Sequence, residues 1–184
     1  MSTSTLALPL RLSATKAAAL SFGFLVMGLV LPQAVTHIPV IGSMLLPMHI
    51  PVLLCGLVCG WRYGALVGAV VPLLSSAMFG MPPLMPIGLA MVPELACYGL
   101  VAGLLGARLP QNLLGRLGAL VGAMIAGRLV WGLASLIIFT ARDTAFTGSA
   151  FISGAVLGSW PGIILQLILI PLVMLGVDHY AKQR

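Results

Sequence analysis

Charge is what this chain has least of. Asp and Glu together number three in 184 residues and Lys and Arg nine, so charged residues make up 7%. A soluble globular domain carries roughly 25%, so a surface this poor in charge must face something other than water. The scarcity also excludes chemistry that needs paired carboxylates, because Glu94 stands alone within the apolar segments. No Ser-His-Asp set can be assembled without joining loops on opposite sides of a membrane, since Asp178 is expected on the cytoplasmic side. A Gly-Lys-Ser/Thr phosphate loop is missing, which rules out ATP hydrolysis by that route. The chain is not expected to be an enzyme. Basic runs are lacking as well. The cations sit singly, so the net charge of +6 does not indicate nucleic acid as a partner.

What is present is apolar. Hydrophobic residues make up 60% of the chain and the mean hydropathy is +1.16. The 22 glycines and 13 prolines form no low-complexity tract, and both residues are commoner in membrane helices than in soluble ones. The three cysteines (Cys55, Cys59, Cys97) all lie in apolar segments and read as small packing residues, because no second ligand pair follows Cys55 and Cys59. Arg11 and Lys16 precede the first apolar run, but no small-residue cleavage site ends it, so it reads as a retained first span.

A bilayer is crossed by about 20 apolar residues. Breaks at Pro, Gly and charges divide the chain into spans at Lys16–Leu31, Met48–Gly60, Gly64–Phe79, Ile87–Ala107, Leu117–Thr140 and Ala150–Gly176. The second is short. Charge placement tests this partition, because cytoplasmic loops carry excess Lys and Arg. With both termini cytoplasmic, Arg11, Lys16, Arg62, Arg108, Arg116, Lys182 and Arg184 fall inside and Arg142 alone falls outside. The expected architecture is an all-α integral membrane bundle of six helices, one transmembrane domain over residues 1–184.

Small residues four apart, Gly56/Gly60, Gly64/Gly68, Gly99/Gly103, Gly118/Gly122 and Gly154/Gly158, are expected at close helix contacts. Ala14 and Ala18 have the same spacing at the cytoplasmic start of the first helix, where they could form a docking face for another membrane subunit.

Ionisable groups inside a membrane cost roughly 2.5–3.5 kcal/mol each on insertion scales, which makes each a functional candidate. Two stand out: Glu94 in Met91-Val-Pro-Glu-Leu-Ala-Cys-Tyr98 and Arg128 in Ala126-Gly-Arg-Leu-Val-Trp131. Tyr98 and Trp131 follow them by about one turn and share their faces. Glu94 and Arg128 could simply pair or snorkel. Alternatively they line an aromatic cavity in which Arg128 grips a ligand's carboxylate or other acceptor. Gln166 is a further polar group in the sixth span. Gln33, Thr36 and His37 are expected in the first outer loop, with Met48 and His49 at the mouth of the bundle. Met81-Pro-Pro-Leu-Met-Pro86 is expected as a second, proline-stiffened outer loop. The His and Met residues also allow a haem or metal site, although apolar lining explains the Met equally well. A lone intramembrane Glu94 is compatible with a stand-alone proton-coupled carrier, but the two halves show no convincing inverted repeat.

The segment from Leu46 through Pro-Met-His-Ile-Pro to Trp61-Arg-Tyr-Gly resembles the second and third helices of the substrate-binding S components of energy-coupling factor (ECF) transporters. Phe79-Gly-Met-Pro-Pro, Pro93-Glu-Leu-Ala-Cys-Tyr, Ala126-Gly-Arg-Leu-Val-Trp and Pro161-Gly-Ile-Ile-Leu-Gln are similar to the same family. The resemblance implies a subunit of a prokaryotic cytoplasmic membrane that captures a vitamin or cofactor precursor at the outer face. The loop between the first two helices, here Gln33–Pro47, would close the pocket. Partners would be a transmembrane coupling subunit and two ATPases, which use the ATP; no cofactor is implied for this chain. Ala14 and Ala18 match the family's Ala-x-x-x-Ala docking motif. The sites implied are His37, Met48, His49, Glu94, Tyr98, Arg128, Trp131 and Gln166, with pantothenate the first candidate substrate and a porphyrin a lower one.

Overall fold

The computed structural model describes residues 13–35, 44–143 and 147–182. Every regular element among them is helical: α1 is Ala14–Val35, α2 His49–Cys59, α3 Trp61–Phe79, α4 Leu89–Arg108, α5 Leu113–Thr140 and α6 Trp160–Lys182. A wider π-type turn covers Ser153–Leu157, which follows a five-residue helix at Gly148–Ile152, and the segment Leu84–Gly88 ahead of α4 is kinked at the extended Met85. Five helices are long and apolar enough to cross a membrane, and α2 is a shorter apolar sixth. Helix is the state lipid allows, because each backbone N–H and C=O must find its partner within the segment.

The expected spans are all present, and the deviations are at their ends. α1 runs on through Pro32 to Val35 and takes in Gln33, which was expected in the outer loop. A proline within the last turn takes one donor from a helix that is already ending. Thr36 and His37, with the rest of 36–43, lie outside the described residues. No loop separates α2 from α3: Gly60 alone makes the turn, at φ +94°, which an L side chain adopts only under strain. α5 starts four residues early because the Asn112 side chain accepts from the Gly115 N–H at 2.7 Å, an N-cap that precedes Arg116. The second outer loop is extended at Pro83 and again at Met85, at φ −117° and ψ 133°, and the continuous helix begins only at Leu89. The Ser75 hydroxyl holds that loop by donating to Met81 O at 2.7 Å. The expected sixth span is broken: the π turn ends at Leu157, and the continuous helix begins only at Trp160.

α4 is the centre of the bundle, with α2, α3 and α5 packed around it and α1 laid over α2 and α3. α6 touches α2 and α5 sparsely. The tightest packing is backbone on backbone. A Cβ on Gly64 would stand 2.6 Å from both Gly56 Cα and Gly99 O, and one on Gly68 would strike the Leu95 carbonyl. Glycine is therefore required where α2, α3 and α4 meet, as the spacing predicts. The other pairs differ. Gly60 is a turn residue with open space around it, Gly118 and Gly122 face leucine side chains, Gly154 lies under Trp131 and Gly158 approaches its own turn.

Both described ends of the chain lie at one end of the bundle. Tyr63, just after the α2–α3 turn, donates to Ala14 O at 3.4 Å. Leu57, Leu109, Arg116 and Met174 surround one small space at the same end. This is the end that the positive charges assign to the cytoplasm.

Candidate ligand site

The short α2 determines the depth of the site. Its 11 residues rise about 16 Å at 1.5 Å each, roughly half of the ~30 Å hydrocarbon core. His49, its first residue, therefore sits near the bilayer midplane rather than at the surface. There it meets Glu94 and Tyr98 of α4, and Glu94 meets Arg128 of α5.

Glu94 is the hub. It is 1% exposed, and its Oε1 accepts from Arg128 Nη1 at 2.8 Å. His49 Nε2 stands 3.6 Å from the same oxygen, too far for a well-formed hydrogen bond. The imidazole also meets the Tyr98 ring edge-on, with centroids 5.1 Å apart and planes at 67°. Tyr98 can come this far in because Gly127 has no side chain: a Cβ there would lie 2.9–3.0 Å from three ring carbons. A carboxylate this buried needs a cation to offset lost hydration, and Arg128 supplies one from the neighbouring helix.

The cluster is not fully bonded. Arg128 Nη2 and both ring nitrogens of His49 are buried without a hydrogen-bond partner among the described residues, as is Gln166 Nε2 elsewhere on α6. More than about 90% of buried polar groups are satisfied in folded proteins, so these atoms are where a bound molecule can complete the set.

Beside the cluster, the sparse packing of α6 leaves a cleft of about 400 Å³ against α5. Arg128 is the single polar residue in its lining; Met124, Leu129, Phe151, Ile163 and Leu167 are among the others. A second cleft of about 390 Å³ continues along α5 past Gly132 and Thr147, sharing Leu129 and Phe151 with the first. Trp131 stacks on Phe151 with centroids 6.1 Å apart and planes at 28°.

Among the residues expected at the site, His49, Glu94, Tyr98 and Arg128 come together. Trp131 sits over Gly154 and beside Phe151 rather than in the polar cluster. Gln166 is 1% exposed on α6, and Met48 is 5% exposed within the apolar core rather than at an open mouth. His37 lies outside the described residues. Ala14 and Ala18 are exposed at the cytoplasmic end of α1, whereas Ala17 between them is buried. Phe151, Met124 and Gly127 were not anticipated. Gly127 has a signal in retrospect, since it adjoins the one arginine within a span. Phe151 has none, because in the sequence it is one more apolar residue of the expected sixth span, and only the structure sets it apart in the five-residue helix Gly148–Ile152.

Residues 19–174 match the family described as "ECF transporter, substrate-specific component". No curated protein and no solved structure matches the chain.

Proposed function

The chain belongs to the substrate-specific components of ECF transporters, and on that premise we propose that it captures a micronutrient at the Glu94–Arg128 site. The observation that carries this reading is the half-used guanidinium. Arg128 gives Nη1 to Glu94 and leaves Nη2 buried without a partner, beside a cleft that Arg128 itself lines. Glu94 holds the arginine in place, and a ligand carboxylate or amide oxygen takes the remaining donor. His49 brings further unfilled polar atoms, and Tyr98 closes the floor. A pocket is usually just this, apolar walls with a few placed polar groups.

In this reading, delivery to the cytoplasm needs a coupling subunit and two ATPases, which dock on the α1 face at Ala14 and Ala18. Pantothenate, with one carboxylate, is the first substrate to try. Thermal stabilisation of the purified chain across a vitamin panel tests the reading. The expected result is a rise in melting temperature with a carboxylate-bearing member, lost in Arg128→Met. No stabilisation by any vitamin would defeat it.

A further inference from the structure

The polar cluster is shut off from water. Glu94 and His49 are almost wholly buried, and so is Arg128 Nη2. A polar solute cannot reach them through lipid, where its own polar groups would find no partners. It has to come from the outer end of the bundle, where the cleft of about 390 Å³ runs along α5 from Leu129 to Leu136. That cleft and the deeper one lined by Arg128 share two residues, Leu129 and Phe151. Leu129 is fixed in α5 itself, but Phe151 reaches across from the five-residue helix Gly148–Ile152. Its ring fills the notch at Gly132, where a Cβ would collide with it, and stacks on Trp131. Trp131 in turn lies over Gly154. One aromatic ring therefore stands between the outer cleft and the arginine.

The piece that carries Phe151 holds itself together. The Phe151 N–H donates to Thr147 O at 3.0 Å and the Gly158 N–H to Ser153 O at 2.7 Å. The Ser159 hydroxyl donates to Ala155 O at 2.9 Å, which ties the piece to the start of α6. Against α5 it sets rings on glycines, and the backbones approach one another sparsely. Contacts of this kind part without unwinding a helix, whereas Gly56, Gly64 and Gly99 hold α2, α3 and α4 backbone on backbone. We infer that residues 148–157 form a gate between the outer cleft and the Arg128 cluster, with Phe151 in the Gly132 notch as its latch. Swinging the ring out joins the two clefts into one passage from the outer face to Arg128. This rests on the reading of Arg128 as the capture site and adds the way in.

The test reads water access behind Phe151 and needs no ligand. It uses intact cells expressing the full chain with Cys55, Cys59 and Cys97 replaced by Ala. Met124→Cys places a thiol in the deeper cleft, and Met174→Cys places a similarly buried one at the cytoplasmic end. An impermeant methanethiosulfonate bearing a sulfonate labels whatever outside water reaches. Phe151→Ala removes the latch, and Gly132→Ala pushes the intact ring out of its notch. Each should raise labelling at position 124 roughly tenfold or more, starting from an open state populated about 1–10% of the time. Position 174 should stay unlabelled. Equal labelling at 124 with and without the latch overturns the inference. A rise at both positions also overturns it, because the whole bundle has then loosened. No labelling at 124 in any variant does the same, since no passage opens there. Thermal stabilisation of the unmodified chain by the vitamin panel is read separately. A vitamin that stabilises it while the latch variants change nothing leaves the capture reading standing and removes only the gate. A panel without a hit, beside faster labelling in both latch variants, defeats capture and leaves the gate.

Discussion

Glu94 and Arg128 show how a single pair organises a membrane interior. Each would be costly alone at this depth, and at 2.8 Å each removes most of the other's cost. Breaking such a pair from one side is worse than never having it. Arg128→Met should therefore destabilise the protein by about 3–5 kcal/mol, while Glu94→Gln/Arg128→Met should recover most of that loss and still fail to bind ligand. Thermal denaturation of the four species in one detergent gives the coupling directly; additive losses would mean that the pair does not act as a unit. Tyr98 and Gly127 form a similar partnership, in which the missing Cβ on α5 makes room for the ring from α4. Gly127→Ala should push the phenol toward His49 and weaken ligand binding more than it lowers stability, as ligand titration beside a melting curve would reveal.

At the scale of elements, the bundle divides into a tight half and a loose half. α2, α3 and α4 are locked by glycines whose Cβ positions are already occupied by backbone, whereas α6 leans on its neighbours sparsely. Overpacking a close contact costs typically 1–3 kcal/mol, so Gly64→Ala and Gly68→Ala should lower the melting temperature sharply. Gly23→Ala makes the contrast: nothing lies within 4 Å of the added carbon, and the helix gains by up to about 1 kcal/mol. Size-exclusion chromatography after a heating series separates the two outcomes. The loose half is where a ligand can enter without breaking the glycine-locked core. The α1 face is a third kind of element, with Ala14 and Ala18 exposed in a turn whose Ala17 is already buried against the bundle. Ala14→Leu or Ala18→Leu should leave ligand binding unchanged and abolish uptake with the ATPase module. Loss of binding instead would mean that this face supports the fold.

For the whole molecule, the question is which end faces the cytoplasm and whether the chain works alone. In a background with Cys55, Cys59 and Cys97 replaced by Ala, an impermeant maleimide should label Ala141→Cys in intact cells and Ser13→Cys only after permeabilisation. The reverse pattern would invert the bundle. A stand-alone carrier would rely on Glu94 as an isolated group, but here its carboxylate accepts from Arg128 at 2.8 Å. The chain reconstituted alone into liposomes should therefore show no uptake driven by a pH gradient.

Composition and charge placement determined, without any coordinates, that the chain spans a membrane, where its spans lie and which end carries the positive charges. Those properties are local: an apolar run partitions into lipid whatever its neighbours are, and a flanking cation resists translocation in the same way. The functional candidates were legible for the same reason, since an ionisable residue in an apolar span stands out one residue at a time. Tertiary structure alone decided which candidates meet. Nothing in the sequence places His49 at the midplane; that follows from a two-sided fact, the 11-residue length of α2 and the one-residue turn at Gly60 that ties its other end to α3. Phe151 joins the site only because the expected sixth span breaks before Trp160 and folds its first turns against Trp131. The cleft beside Arg128 exists because α6 packs sparsely, and packing between helices distant in sequence is not written in either helix.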